Sequence, residues 1–265
     1  MPKYRGAFHL HSCYSYDSEI ELPEMVGLLK SQGYSFALIS EHTYNRAKKE
    51  YLTEREFQQF IEDCRTYSRN DFLLIPGLEF SCYDNRVHIV ATPLYRAFPL
   101  QSLDTAAKIL KVTHQEGALA ILVHPFWANA HRFLRKEDFE QLDGFEVWNY
   151  DYQGSHGPSL AQYLKLRQWI KRSSTPVALV GLDLHQKKNV AEVFIEMDLD
   201  ELKQDLIFQK IRSKDYCLSA IQRNFNPEGK VEDLLHHLWR RESDFVSRLQ
   251  HRLFSRSYTP RGQKL

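Results

Sequence analysis

Two histidines separated by one residue, His9-Leu10-His11, stand at the end of the first apolar run of this chain. In an extended strand residues two apart point to the same side, so both imidazoles can grip one metal ion. The pattern recurs down the chain. The run 36–40 ends at Glu41-His42, Glu79 sits among apolar neighbours in Pro76-Gly77-Leu78-Glu79-Phe80, and His88 opens the run 87–91. His124 closes another run just before Pro125, and Gly181-Leu182-Asp183-Leu184-His185 again sets two ligand types two residues apart. Six of the twelve histidines hold such positions, which makes the set more telling than any one member. Burying so many ionisable groups without a cation would be strongly unfavourable. Divalent ions remove that difficulty, and imidazoles with carboxylates but no thiolates suit zinc, manganese or iron.

The elements that must position these residues follow from periodicity. Strands are expected at 4–10, 36–40, 72–75, 87–91, 119–123, 144–148, 177–181 and 192–197, each a short β-rich run. Helices are expected between them. Residues 22–32 begin with Pro23 and end at Gly33, and residues 53–69 open with a Thr53/Glu56 capping box. Residues 104–116 are capped by Asp104 and stopped by Gly117, with further helices at 158–171 and 201–213. Strands alternating with helices imply a parallel sheet, and seven or eight strands in one domain favour its closure into a barrel, whose strand ends house chemistry.

Length and composition agree with one large α/β domain: 265 residues, 43% hydrophobic and 26% charged. The formal net charge of +1 gives no global signal for nucleic acid or membrane. The charge is unevenly spread, since residues 236–265 carry seven Lys/Arg against two Asp/Glu. A basic amphipathic helix is expected at about 231–254, so the chain divides into residues 1–220 and a basic helical extension at 221–265. No apolar run approaches the ~20 residues needed to cross a bilayer, and no secretory signal precedes the first strand, so the expected location is the cytoplasm. Cys13, Cys64, Cys82 and Cys217 show no paired spacing and are read as free thiols.

The ordered series His9-x-His11, Ser15-Tyr16-Asp17, Ser40-Glu41-His42, Pro76-Gly77-Leu78-Glu79, Val87-His88, Val123-His124-Pro125 and Gly181-Leu182-Asp183-Leu184-His185 resembles the PHP family. This is the polymerase and histidinol phosphatase superfamily, and the likeness covers residues 4 to about 220. It implies a distorted (β/α)7 TIM-like barrel with metals at the C-terminal mouth. It puts one ion on His9, His11, Glu79 and Asp183, a second on Glu79, His88 and His124 with Glu79 bridging, and a third on Asp17, His42 and His185. The chain departs from the family pattern at Tyr16, which separates Ser15 from Asp17, at Glu41, where Asp is frequent, and at Leu182 and Leu184.

Such a centre implies a phosphoesterase. Two ions about 3.5–4 Å apart can share a hydroxide that attacks phosphorus in line, while a third orients phosphate oxygens. The catalytic assignments are Glu79, as the bridge, and Asp183, with either Asp183 or a nearby histidine managing the leaving-group proton. Substrate contacts are expected from loops at the same mouth: Arg46, Arg86, Trp127, His131, Arg132 and Lys187, with Trp127 suited to stacking on a ring. The expected substrate is a phosphorylated small molecule, a nucleotide or an oligonucleotide end. An amide or ester hydrolase of the same fold, or a non-catalytic metal-stabilised module, are the other functions this ligand set allows.

Overall fold

The runs 87–92, 119–122, 144–149 and 177–181 form strands whose residues are buried at every position, enclosed on both faces. The computed structural model describes residues 1–96, 99–154, 159–170, 176–220 and 224–225. In chain order the strands are β1 (Lys3–Phe8), β2 (Phe36–Leu38), β3 (Glu41–His42), β4 (Tyr44–Asn45), β5 (Glu50–Tyr51), β6 (Leu73–Ile75) and β7 (Leu78–Cys82). They continue with β8 (Val87–Thr92), β9 (Leu119–Leu122), β10 (Gly144–Asn149), β11 (Val177–Gly181), β12 (Val193–Asp198), β13 (Cys217–Ala220) and β14 (Asn224–Phe225). The helices between them are α1 (Leu22–Ser31), α2 (Glu54–Tyr67), α3 (Ala106–Gln115), α4 (Lys136–Gln141), α5 (Tyr150–Gln153), α6 (Leu160–Ile170) and α7 (Gln204–Ser213).

Local signals act where they were read. Thr53 and Glu56 form a reciprocal capping box on α2, and Phe57, Phe60, Ile61 and Cys64 bury its inner face. Asp104 does not cap α3. The cap position is Thr105, without a side-chain bond, and Asp104 pairs instead with Lys108 one turn on.

The strands register as two six-stranded sheets, ordered β14-β13-β12-β1-β2-β6 and β11-β10-β9-β8-β7-β3. At one margin the chain itself passes from sheet to sheet, at 38–41 and 75–78, where Ile39 N–H donates to Ile75 and Glu41 N–H to Gly77. At the other, Leu182 N–H donates to Phe8 and His11 N–H to Leu184, which links the end of β11 to that of β1. The pairing is mixed rather than parallel throughout, because β1–β12, β12–β13, β13–β14, β7–β8 and β8–β9 are antiparallel. For β7 and β8 the reason is local. Only residues 83–86 separate them, too few for a parallel crossover, and Tyr83, Asp84 and Asn85 make the turn at positive φ.

The expected C-terminal helix at 231–254, with most of the 221–265 extension, lies outside the described residues. Among the described residues no helix is long and apolar enough to cross a membrane. What the fold does for function is to bring the ends of β1, β3, β9 and β11 and the starts of β7 and β8 to one place.

Candidate metal centre

Glu79, the second residue of β7, is the focus of that place. It is buried, and its Oε1 lies 2.5 Å from His88 Nδ1 and 3.0 Å from His124 Nε2. Its Oε2 lies 3.5 Å from His9 Nε2, 3.4 Å from His11 Nε2 and 3.1 Å from His42 Nδ1. Asp183 faces it across the two histidines, with Oδ1 at 3.3 Å from His9 Nε2 and 3.4 Å from His11 Nε2. Asp17 stands at the outer edge, 3.3 Å from His42 Nε2 and 3.6 Å from His185 Nε2. All nine residues expected to be ligands are therefore adjacent in one cluster.

The inner atoms have a property that calls for a cation. Among the described residues His9 Nε2, His11 Nε2 and Glu79 Oε2 are fully enclosed and make no hydrogen bond. Unpaired polar atoms in a core are costly, so converging ones need a common partner. The four measured separations among His9, His11, Glu79 and Asp183 are 3.3 to 3.5 Å. Of these, His9, His11 and Glu79 bring one atom each within reach of a single ion. Three further groupings, His11/His42/His185, His9/His124/Asp183 and Glu79/His88/His124, also bring one ligand atom each within reach of a single ion. The donor set fits divalent metal binding.

Electrostatics sort the cluster without any ion. Burial works against a charged Glu79, yet the imidazoles of His88 and His42 hold its carboxyl well below the usual range. Asp183 is likewise depressed against its burial, chiefly by His9 and His11. Burial and then His42 push His11 down to about 3, so its imidazole is neutral. Burial would lower His42 too, but Glu79 and Asp17 carry it up to about 10. A metal bound there would take the place of the proton that Glu79 and Asp17 stabilise on the His42 ring.

Two buried acids outside the expected set brace the cluster. Glu146 on β10 lies 2.9 Å from His9 Nδ1 and accepts from His124 N–H at 2.6 Å and from Asn149 Nδ2 at 2.9 Å. Glu41 accepts from the backbone and hydroxyl of Ser12, at 2.9 and 2.5 Å, and from the Ser15 hydroxyl at 2.5 Å. Periodicity could not single out Glu146, since all six residues of β10 are buried and no inside–outside alternation marks it.

The six residues expected to touch substrate fare unequally. Trp127 packs against the centre, its ring 5.1 Å from His88 and 6.0 Å from His124. Arg46 is exposed and close enough to Tyr16 to oppose the rise of its phenol. Arg86 lies over the Phe133 ring at 4.9 Å, Lys187 pairs with Glu24 on α1, and Arg132 is exposed. The His131 side chain lies outside the described residues. Beside His124 a cavity of about 200 Å³ opens, walled by Pro125, Phe126, Trp127 and Tyr152 with the amides of Asn149 and Gln153.

No family model matches the sequence, and no curated protein matches it either. Solved structures do resemble the fold. A two-domain protein from Bacteroides vulgatus containing a predicted PHP-like metal-dependent phosphoesterase superposes with a TM-score of 0.60 at 17% identity, covering 90% of this chain and 70% of that one. PsfC from Pseudomonas syringae superposes with a TM-score of 0.50 at 14% identity, covering 77% of this chain and 86% of that one. The chain thus has a PHP-like fold.

Proposed function

We propose that this chain is a metal-dependent phosphoesterase whose strands enclose the centre as a distorted seven-stranded barrel. The observation that carries the reading is the convergence of unpaired His9 Nε2, His11 Nε2 and Glu79 Oε2 on a point that Asp183 also faces. The likeness to the Bacteroides vulgatus protein, which contains a PHP-like phosphoesterase, supports the same chemistry.

The residues assign themselves by position. His9, His11, Glu79 and Asp183 hold the first ion, Glu79, His88 and His124 the second, and Asp17, His42 and His185 a third. Zinc, manganese or iron bound there supplies an activated water and neutralises charge building on the phosphoryl group. The protein's share is positioning. Glu79 uses its two oxygens on different histidine sets, which fits a bridge. Asp183 is held ionised by His9 and His11, which suits a metal ligand, and its place facing both histidines is what supports a further part in handling the leaving-group proton. Exposed Arg46 and Arg132 offer cationic contacts for a phosphate entering from solvent. The cavity beside His124 receives the organic part of the ester, with Trp127 and Tyr152 as its aromatic walls. The substrate is a phosphomonoester, a nucleotide or an oligonucleotide end, hydrolysed in the cytoplasm.

Elemental analysis of the purified protein, paired with a phosphate-release screen on an aryl phosphate and a nucleoside bisphosphate, tests this. At least two equivalents of metal and release of phosphate are expected. Amide or ester turnover without phosphate release would move the chain to another hydrolase class, and bound metal with no turnover would make it a non-catalytic module.

A further inference from the structure

Glu146 has three attachments, and each leads to a different residue of the centre. Its Oε1 takes the Nδ1 side of His9 at 2.9 Å, and its Oε2 takes the backbone N–H of His124 at 2.6 Å. The same Oε2 accepts from Asn149 Nδ2 at 2.9 Å, and that amide reaches Asp183 Oδ2 at 3.1 Å. His9, His124 and Asp183 share a second property. Of the nine cluster residues they alone have positive φ, at 64°, 26° and 50°. Side-chain-bearing residues rarely adopt that conformation, and it persists only where the surroundings hold it. The three also form one of the groupings able to hold a single ion.

The chain makes room for this carboxylate. A Cβ on Gly181 would fall within 1.7 Å of Glu146 Oε1, so the side chain lies where any other residue at 181 would put its own. Glu146 is buried, at 1% exposure, and its oxygens are all engaged inward, so it serves no solvent or surface partner.

We infer that Glu146 is the positioning residue that sets the strained residues His9, His124 and Asp183 in their metal-ready arrangement, linking the first ion's ligands to the second's. The inference rests on the metal-centre reading. A carboxylate facing Nδ1 of His9 keeps a proton on that nitrogen, so Nε2, turned toward Glu79 and Asp183, is the nitrogen left for an ion. The short bond to His124 N–H fixes the turn from which that imidazole projects. Glu146 itself touches no reacting atom in this arrangement.

The test is cobalt(II) binding, followed by visible absorption and by competition with a chelator, in wild type, Glu146→Gln and Asn149→Ala. Glu146→Gln keeps the size of the side chain but turns one acceptor into a donor, which faces either the Nδ1 proton of His9 or the N–H of His124. Cobalt affinity should fall roughly ten- to hundredfold, with a changed ligand-field spectrum at temperatures where circular dichroism matches wild type. Asn149→Ala cuts the arm to Asp183, together with the cap that its Oδ1 gives Tyr152 N–H at the start of α5, but leaves Glu146 on His9 and His124; it should give a smaller loss, which keeps the test open if Glu146→Gln does not fold. Affinity and spectrum unchanged in both variants would overturn the role of Glu146. A wild-type protein that takes up no cobalt would instead overturn the metal-centre reading beneath it.

Discussion

The hydroxyl of Ser15 lies 2.5 Å from Glu41 Oε2, and both residues are buried. A serine hydroxyl has a single proton to give. Since that proton goes to Glu41, Ser15 must accept from its other two partners, His42 N–H at 3.0 Å and His11 Nδ1 at 3.2 Å. His11 therefore carries its proton on Nδ1 and presents a bare Nε2 to the centre, and Glu146 likewise keeps a proton on Nδ1 of His9.

Ser15→Ala removes one group and leaves three buried ones short of a partner. A destabilisation of about 1–3 kcal/mol is expected, together with weaker metal retention. Denaturant melts and metal content after dialysis measure the two effects. Unchanged values for both would show that Ser15 does not set the His11 tautomer.

Glu79→Ala should cost the most. No other residue of the cluster faces five imidazoles, those of His9, His11, His42, His88 and His124. The variant is expected to purify with less than one equivalent of metal and without measurable phosphate release. Retention of full metal content would remove Glu79 from its place as bridge.

Gly181→Ala adds only a methyl group, but that group would meet Glu146 Oε1 and Cδ at 1.7 and 2.9 Å. Overpacking of this kind costs about 1–3 kcal/mol, so Tm should drop by several degrees. Metal affinity should drop as well, because the carboxylate must leave His9. A calorimetric scan of loaded and stripped protein separates the two, and a normal Tm in both would contradict the packing described here.

The pH dependence of stripped protein follows from His42. Its value rises from the ordinary 6.5 to about 10 because Glu79 and Asp17 favour the charged ring. A raised value contributes stability that is complete below 6.5 and is lost as pH climbs through 10. Glu79, Asp17 and Asp183 are depressed, so their contribution holds above the usual carboxylate range and fades only in acid. Stripped protein should therefore melt lower at pH 10 than at pH 7, whereas loaded protein, with cations in place of the proton, should hold its Tm better. Equal slopes for the two forms would count against the ion pairing at His42.

Trp127→Ala tests the cavity beside His124. KM for an aryl or nucleoside phosphate should rise about tenfold with kcat little changed, while glycerol phosphate should be indifferent. A uniform loss on both substrates would instead mark Trp127 as packing for His88.

The ligand cluster was legible in residue type and order, although not by strand alternation, since His9 and Asp183 lie just past the ends of β1 and β11 at positive φ. The strands and the α2 cap were legible for local reasons. Glu146 and Glu41 were not, because their importance comes from residues 137 and 26 positions away, His9 and Ser15. The expectation of a purely parallel sheet missed the β7–β8 hairpin, since a turn built from Tyr83, Asp84 and Asn85 lacks the glycine that usually announces one. Lys187 read as a phosphate contact by its nearness to His185, but Glu24 on α1 is closer to its amine.

That hairpin has a consequence for how the chain can vary. Ser81 pairs with His88 and Glu79 with Val90, so a turn of this length puts the His88 imidazole on the Glu79 side of the ribbon. Inserting or deleting one residue at 83–86 would slide the ladder by a step and swing His88 away from Glu79. A two-residue change would restore the side while moving the ring along the strand. Tolerance in this loop should therefore alternate with the parity of the indel, a constraint imposed by pleat geometry on a segment that otherwise looks free to drift.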